Sequence, residues 1–344
     1  MKKIIISVAF LFVCHLISAQ YTPIINSKRP GFSESPYGVG TKVFQVETGA
    51  FYEQSKINEL FYADNSFGAN LFLRYGRFIE KLEVNLDVAY QQDERSFHNV
   101  LITNPTTVNG LSRLTLGAKY LIYNSKYTDK SKEVRSWKKR MAFDWKRLIP
   151  SVGVYAGWNS NFLSDGFKED KMSLKGAVLL QNDFNDRFVL LTNLIVDRIL
   201  LSDMEYSYIL TATYALNEKW SMFGEHQGNF RKNKNNKFQF GAGTAYLISK
   251  NIQLDVAART TMVSQGTINY VSLGGSWRLD RHKGKKKANG ELEGTKEPFF
   301  KRIFKKRKKK RKVKKVKHKK RRKSKKSKKG TPSFFKKKKK KKKK

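Results

Sequence analysis

Residues 82–90 read LEVNLDVAY, with Leu82, Val84, Leu86, Val88 and Tyr90 alternating with Glu83, Asn85, Asp87 and Ala89. Apolar residues at every second position predict a β-strand with one apolar and one polar face. The pattern recurs from residue 43 onward: in VFQVETGAFYE, SFGANLFLRY, RLTLGAKYLI and FQFGAGTAYL one register is apolar and the other carries Gln, Glu, Gly, Arg, Thr and Lys. Twelve strands are expected, at 43–53, 66–75, 82–91, 111–123, 150–158, 172–182, 188–198, 206–216, 220–227, 237–247, 252–259 and 268–279.

The connections largely alternate in length. GRFIEK, DFNDR, NEK and SKN are short. QSKINELFYADN, QDERSFHNVLITNPTTVNG, NSNFLSDGFKED and GNFRKNKNN are long. Outer-membrane barrels alternate in this way, with short periplasmic turns, longer outer loops and strands of about 9–11 residues. Phe44, Tyr52, Phe67, Tyr75, Tyr90, Trp158, Trp220, Tyr246 and Trp277 fall near strand ends, where interfacial aromatics belong. A secreted β-sandwich or propeller also has short antiparallel strands. The even strand count and the alternating links favour an all-β, antiparallel transmembrane barrel of about twelve strands over residues 43–280, with the apolar register toward lipid and the polar register toward a lumen.

The N-terminus fits export. Lys2 and Lys3 precede an apolar run, Ile4 to Ile17, that ends in Ser18-Ala19-Gln20. This reads as a signal peptide over 1–19, too short for an ordinary spanning helix. Cys14, the only cysteine, lies inside it, so disulfide and cysteine–metal chemistry are not expected in the mature chain. Residues 20–42 are expected as an N-terminal periplasmic segment ahead of the barrel.

Charge changes the picture only locally. The chain carries 71 Lys/Arg and 28 Asp/Glu, a net +43. Residues 281–344 hold 37 of the bases and 3 of the acids, so the basicity belongs to a tail ending in nine lysines. Self-repulsion predicts that this tail is disordered. Export argues against a nucleic-acid partner and for anionic cell-wall polymer or lipid headgroups; a solvated extension with no partner is the alternative. Residues 124–148 carry 9 Lys/Arg against 3 acids. There Trp137, Met141, Trp145 and Leu148 recur at helical spacing, as in a periplasmic helix lying in the membrane interface or, equally, a solvated loop.

Candidate chemistry is sparse. His98, His226, His282 and His318 form no close-spaced pair, so no metal site and no cofactor is expected. A serine–histidine hydrolase would have only His226, near a strand end, as base, and no catalytic residue is assigned. The polar register carries Glu47, Glu53, Arg74, Glu83, Asp87, Arg113, Lys119, Glu225, Asp255 and Arg259. These charges either line a pore that selects solutes or form a lattice of ion pairs that packs a narrow barrel shut.

The stretch RPGFSESPYGVGTKVFQVETGAFYE, residues 29–53, resembles the opening of an outer-membrane family labelled the MetA-pathway of phenol degradation, often called simply transporters. Its members open with Arg-Pro-x-Phe-Ser/Thr-Glu-Ser-Pro, then a strand with Gln-x-Glu-x-Gly. Arg29, Pro30, Phe32, Glu34, Pro36, Gln45, Glu47 and Gly49 fit, and WSMFGEHQG (220–228) is similar to a later family strand with its Glu at 225. The tail and residues 124–148 depart from the pattern. The resemblance implies a barrel with a transport role and no established catalytic residues. The expected function is passage of small solutes through outer-membrane lipid, with a structural barrel tethered by its tail as the runner-up.

Overall fold

Alternation of apolar and polar side chains puts one face of each strand toward lipid and one inward, and closure removes every unpaired edge. A computed structural model describes residues 22, 24–57, 61–77, 79–97, 106–125, 144–169, 171–232, 234–264 and 266–282. The signal peptide expected at 1–19, Trp137, Met141, His98, His318 and the residues from 283 onward lie outside the described residues.

Twelve strands close a single antiparallel barrel: β1 (Val43–Ile57), β2 (Phe61–Gly76), β3 (Leu82–Phe97), β4 (Thr106–Tyr123), β5 (Ser151–Asn159), β6 (Ser173–Asp183), β7 (Phe188–Ile199), β8 (Glu205–Ala215), β9 (Trp220–Arg231), β10 (Lys237–Ser249), β11 (Ile252–Val263) and β12 (Gly266–Asp280). Each strand pairs with its sequence neighbours, and β1 closes on β12 from Val43↔Asp280 to Ile57↔Gly266. The rim where β1 begins and β12 ends is here the terminal rim, and the opposite one the far rim.

The outer surface is apolar. Val84, Leu116, Leu194, Leu210, Phe240, Val256, Val271 and Leu273 are all exposed, which water would penalise and lipid does not. Aromatics ring both edges of this band. Phe44 packs on Tyr75 and Trp220 on Tyr246 at the terminal rim, while Tyr52, Phe67 and Tyr90 stand outward toward the far rim. His226 also faces outward, its ring 4.6 Å from that of Phe240 and its Nδ1 3.3 Å from the Tyr208 hydroxyl. Among the described residues no helix is long and apolar enough to cross a membrane.

β1 to β4 differ from expectation at the far rim. Loops expected at 54–65 and 92–110 are largely strand, and the links shrink to 58–60 and 98–105. The reason is chemical. Past Tyr52 the apolar residues no longer alternate, as in Glu53-Gln54-Ser55-Lys56 of β1 and Gln91-Gln92-Asp93-Glu94-Arg95 of β3, so the period-two signal vanishes while main-chain pairing continues, as in Gln54↔Asn65 and Asn65↔Glu94. Side chains bridge these extensions: the Tyr52 hydroxyl donates to Asn65 at 2.9 Å, and Asn65 donates to Glu94 at 3.1 Å.

The segment before β1 is also placed differently from the reading of 20–42 as a stretch ahead of the barrel. Its described part folds into the lumen. It enters at the terminal rim, where the Ile25 N–H donates to the Lys250 carbonyl. It rises to a tip at Gly31–Phe32 and descends to Lys42, whose N–H donates to Gly76 at the same rim. At the handover Gly40 takes a φ of 92°, and its carbonyl lies where a Cβ on Gly76 would stand. Both positions therefore call for glycine.

Of residues 124–148, Trp145–Leu148 form one 3-10 turn capped by Asp144, whose carboxylate accepts the Lys146 N–H. Trp145 is 76% exposed.

Candidate functional site

The inward register of β1–β3 and β9–β12 carries most of the barrel's buried charge. A buried carboxylate is costly unless it accepts hydrogen bonds or pairs with a cation. Here three wall glutamates take their hydrogen bonds from the backbone of the inserted segment, or plug. Glu47, wholly buried, accepts the N–H groups of Lys28 (3.0 Å) and Arg29 (3.2 Å) and the Ser27 hydroxyl (2.7 Å). Glu225 accepts the N–H groups of Phe32 (2.9 Å) and Ser33 (3.4 Å), with the Thr211 hydroxyl at 2.9 Å. Glu83 accepts the Val39 N–H at 2.8 Å.

Side chains complete the docking. Arg29 meets Asp255 at 3.0 Å and donates to Asn70 at 2.9 Å. Its guanidinium lies against Gly49 and Gly274, which face each other across the β1–β12 pair; a Cβ at either would occupy its place. Arg259 stacks on Phe32, 3.7 Å from the ring centroid, pairs with Glu225 at 3.4 Å and donates to the Pro30 carbonyl. Phe32 meets Tyr270 edge-on. Arg74 bridges Glu83 (2.8 Å) and Glu47 (3.1 Å) and donates to the Asn26 carbonyl. Lys119 lies 3.4 Å from Glu83 and 3.9 Å from Glu34 of the plug, which also holds Lys28 at 3.0 Å. The docking is electrically balanced: the wall groups Glu47, Glu83, Glu225 and Asp255 face Arg74, Lys119 and Arg259, and the plug supplies Lys28, Arg29 and Glu34.

The ten charges expected on the polar register thus divide. Seven of them (Glu47, Arg74, Glu83, Lys119, Glu225, Asp255 and Arg259) meet the plug. Asp87 and Arg113 pair with each other at 3.2 Å above it and, with Glu53, line open space. Of the four residues expected in an interfacial helix, Trp145 and Leu148 are exposed on the short turn at the terminal rim, and Trp137 and Met141 lie outside the described residues. The plug residues Lys28, Arg29, Phe32 and Glu34 escaped the strand-based reading because their segment has no periodicity. The available signal was a Gly/Pro/Ser-rich stretch carrying charges that match an imbalance of the wall.

Two cavities flank the plug tip. The far vestibule, about 760 Å³, extends from Lys28–Phe32 up to Glu53, Glu205 and Lys237 near the far rim. The near cavity, about 230 Å³, lies between the plug and the terminal-rim halves of β6 to β10, against Leu191, Thr213 and Phe223. Both touch Lys28, Arg29, Pro30 and Gly31, so the tip is the partition between them. At the far rim, Asp203 accepts from Arg231 (3.0 Å) and Arg198 (3.1 Å), and Arg198 also pairs with Glu169. The hydrogen bond from Arg231, with that from Arg198, holds the Asp203 carboxyl below the usual carboxylate range. Among the described residues no three His, Cys, Asp or Glu side chains converge as a metal site would require.

Several solved structures resemble the barrel. An outer membrane channel from Pseudomonas putida F1 aligns at 10% identity with a TM-score of 0.49, covering 74% of this chain and 100% of that one. The KdgM porin aligns at 10% identity and a TM-score of 0.43 (67% and 98% covered), and the CymD monoaromatic hydrocarbon channel at 9% and 0.39 (71% and 90%). No curated protein matches the sequence. The family described as "Putative MetA-pathway of phenol degradation" matches residues 27–279, from inside the plug to the end of β12, and the chain belongs to that family.

Proposed function

We propose that the protein is an outer-membrane channel that passes small solutes passively, with its N-terminal segment acting as a fixed constriction and no catalytic step. The carrying observation is the pair of cavities that approach the plug tip from opposite ends of one lumen. In this reading the signal peptide is removed, both termini are periplasmic, and the far rim faces outward. Cysteine at Asp165, in the link after β5, then reacts with an impermeant thiol reagent on intact cells, whereas cysteine at Asn217, in the β8–β9 turn, does not; the reverse pattern inverts the topology.

The test of conduction is single-channel recording in planar bilayers of the processed chain beside a variant lacking residues 24–38. Small, resolvable steps from the full chain and larger ones from the variant support the channel. Silence from the full chain with large steps from the variant shows a sealed barrel. That outcome would favour the second reading, a structural barrel whose basic C-terminal tail holds the outer membrane to anionic wall polymer or lipid headgroups. The observation behind it is the dense bonding of the plug to Glu47, Glu83 and Glu225.

A further inference from the structure

The outer wall is not uniform near the far rim. On β8 to β10 the rings of Tyr208, His226, Phe230, Phe238 and Phe240 form one connected cluster. Tyr208 stacks on Phe230 at 6.2 Å between ring centroids, Phe230 meets Phe238 edge-on at 5.9 Å, and His226 lies 5.5 Å from Tyr208 and 4.6 Å from Phe240. Tyr208 lies across Gly228, its partner on β9, where a Cβ would stand 2.5 Å from the ring. Phe230, Phe238 and Phe240 are exposed. Interfacial girdles use aromatics as anchors, and elsewhere on this wall the described rings meet in pairs, as Phe44 with Tyr75 and Trp220 with Tyr246 do. Next to the cluster, on its terminal-rim side, Ala212, Gly224, Ala242 and Ala258 stand side by side across β8 to β11, a shallow trough in the same face.

The cluster runs from Phe230 at the rim to His226, about 13 Å along β9. The link that joins β9 to β10 carries Lys232 and Lys234 and no acid. Both lysines are exposed, and a hydrogen bond from the Lys234 N–H to the Arg231 carbonyl closes the link into a turn. The β5–β6 and β7–β8 links at the same rim carry Asp165, Glu169 and Asp203, and the outer face of β1 to β3 there presents Asn65 and Glu94. Cations above an aromatic face suit a ligand with phosphate at one end and hydrocarbon at the other. We propose that the outer face of β8 to β10, capped by Lys232 and Lys234, is a binding site for a phosphorylated, multiply acylated glycolipid of the outer leaflet, the class of lipid A. Acyl chains lie on the rings and the trough, and phosphate meets the two lysines. A Tyr208 hydroxyl that donates to Nδ1 of His226 leaves the Nε2–H to donate to an ester or amide carbonyl of the lipid. The proposal rests on the reading that the far rim faces outward.

The test is site-resolved photocrosslinking, so that lipid drawn to the basic C-terminal tail adds the same background everywhere. The photoreactive amino acid p-benzoylphenylalanine replaces Tyr206, which stands outward beside the cluster, or Phe67, which stands outward at the same rim on β2. Each full chain, purified in detergent, is irradiated with diphosphoryl lipid A, and the adduct is measured by mass spectrometry. The expected yield at Tyr206 exceeds that at Phe67 by at least about ten-fold. Lys232→Glu with Lys234→Glu should lower the Tyr206 yield by about ten-fold, and Lys232→Gln with Lys234→Gln serves should that pair fold poorly. Lys56→Glu with Lys168→Glu, the same charge change elsewhere on the rim, should leave it within about two-fold. Neither phosphatidylglycerol nor inorganic phosphate, at the concentration of the lipid A, should displace the adduct.

Equal yields at Tyr206 and Phe67 would reduce the face to wall that any lipid solvates and overturn the proposal. So would equal losses in the two lysine pairs, which would show a general charge effect of the rim. Displacement by phosphatidylglycerol would mean a site for any anionic lipid, and displacement by inorganic phosphate a site for the free ion; either also overturns it. Crosslinking in detergent is read without reference to sidedness. Reversed cysteine labelling on cells therefore refutes the topology and, with it, an outer-leaflet occupant, whereas the expected labelling with unselective crosslinking refutes only the site.

Discussion

The far vestibule and the near cavity share one barrel and one plug, yet they use charge in opposite ways. In the vestibule, charges border open space and pair along the wall between neighbouring strands, as Asp87 with Arg113 and Lys175 with Asp197 do. Toward the terminal rim, the carboxylates of β1, β3 and β9 are spent on plug backbone, and the space left beside β6 to β8 is nearly free of charge. A lumen residue therefore cannot be assigned to pore lining from its register alone. Whether it faces water or a tethered segment depends on its height in the barrel.

The strongest way to break this contrast is to free the plug. Glu47→Ala with Glu225→Ala removes the acceptors for four backbone N–H groups, and charge-assisted hydrogen bonds of this kind contribute roughly 1.5–3 kcal/mol each. About 5.5 kcal/mol suffices to invert a 99:1 population, so the double variant should conduct like the barrel lacking residues 24–38. Single-channel steps unchanged from wild type would show that the plug is held by other contacts.

Gly49→Val, on the β1 wall, should act on the same docking by displacing the plug's Arg29. Its side chain takes the volume of the Arg29 guanidinium and leaves Asp255 buried without its cation. Breaking a buried pair costs about 3–5 kcal/mol. The expected readout is trypsin cleavage after Lys28, faster than in wild type (Arg29 precedes Pro30 and resists the enzyme), while the barrel itself stays intact in detergent.

A smaller effect sharpens the boundary between the two regions. Thr211 reaches from the uncharged terminal-rim half of β8 to Glu225. Thr211→Val keeps its shape and removes that donor, for about 1 kcal/mol. Thermal unfolding should shift down by a few degrees with conductance unchanged; a rise in conductance would mean that this bond, too, holds the plug tip.

The smallest predicted effect lies at the far rim. Because the folded Asp203 carboxyl is depressed, its contribution is fully present above the unfolded value of about 4 and is lost as pH falls through the lower folded value. Arg198 and Leu200 beside it hold φ of 58° and 81°, which side-chain-bearing residues adopt at a cost. Between pH 7 and pH 3 the amides of the 200–204 turn should lose protection in hydrogen exchange, normalised at each pH to the unstructured rate, whereas Asp203→Asn should lack that protection already at pH 7; identical profiles for the two proteins remove Asp203 from the account.

What the sequence determined by itself was the wall. Two-residue periodicity depends only on neighbouring side chains meeting lipid on one face, so the twelve strands, the outward aromatics and the inward placement of Glu47, Arg74, Glu83 and Arg259 were legible from local pattern. The far-rim extensions of β1 to β4 were not, because once a strand leaves lipid neither face need be apolar and pairing leaves no mark in hydropathy. The plug was the larger omission. Residues 24–41 follow no period, and their conformation is set by contacts with β1, β3, β9, β11 and β12, up to 249 positions away in the case of Ser27 and Ser276. Only closure of the barrel brings Glu47, Glu83, Glu225 and Asp255 around one space, and only then do their unmet hydrogen bonds and net negative charge select the basic, proline- and glycine-rich segment that fills it.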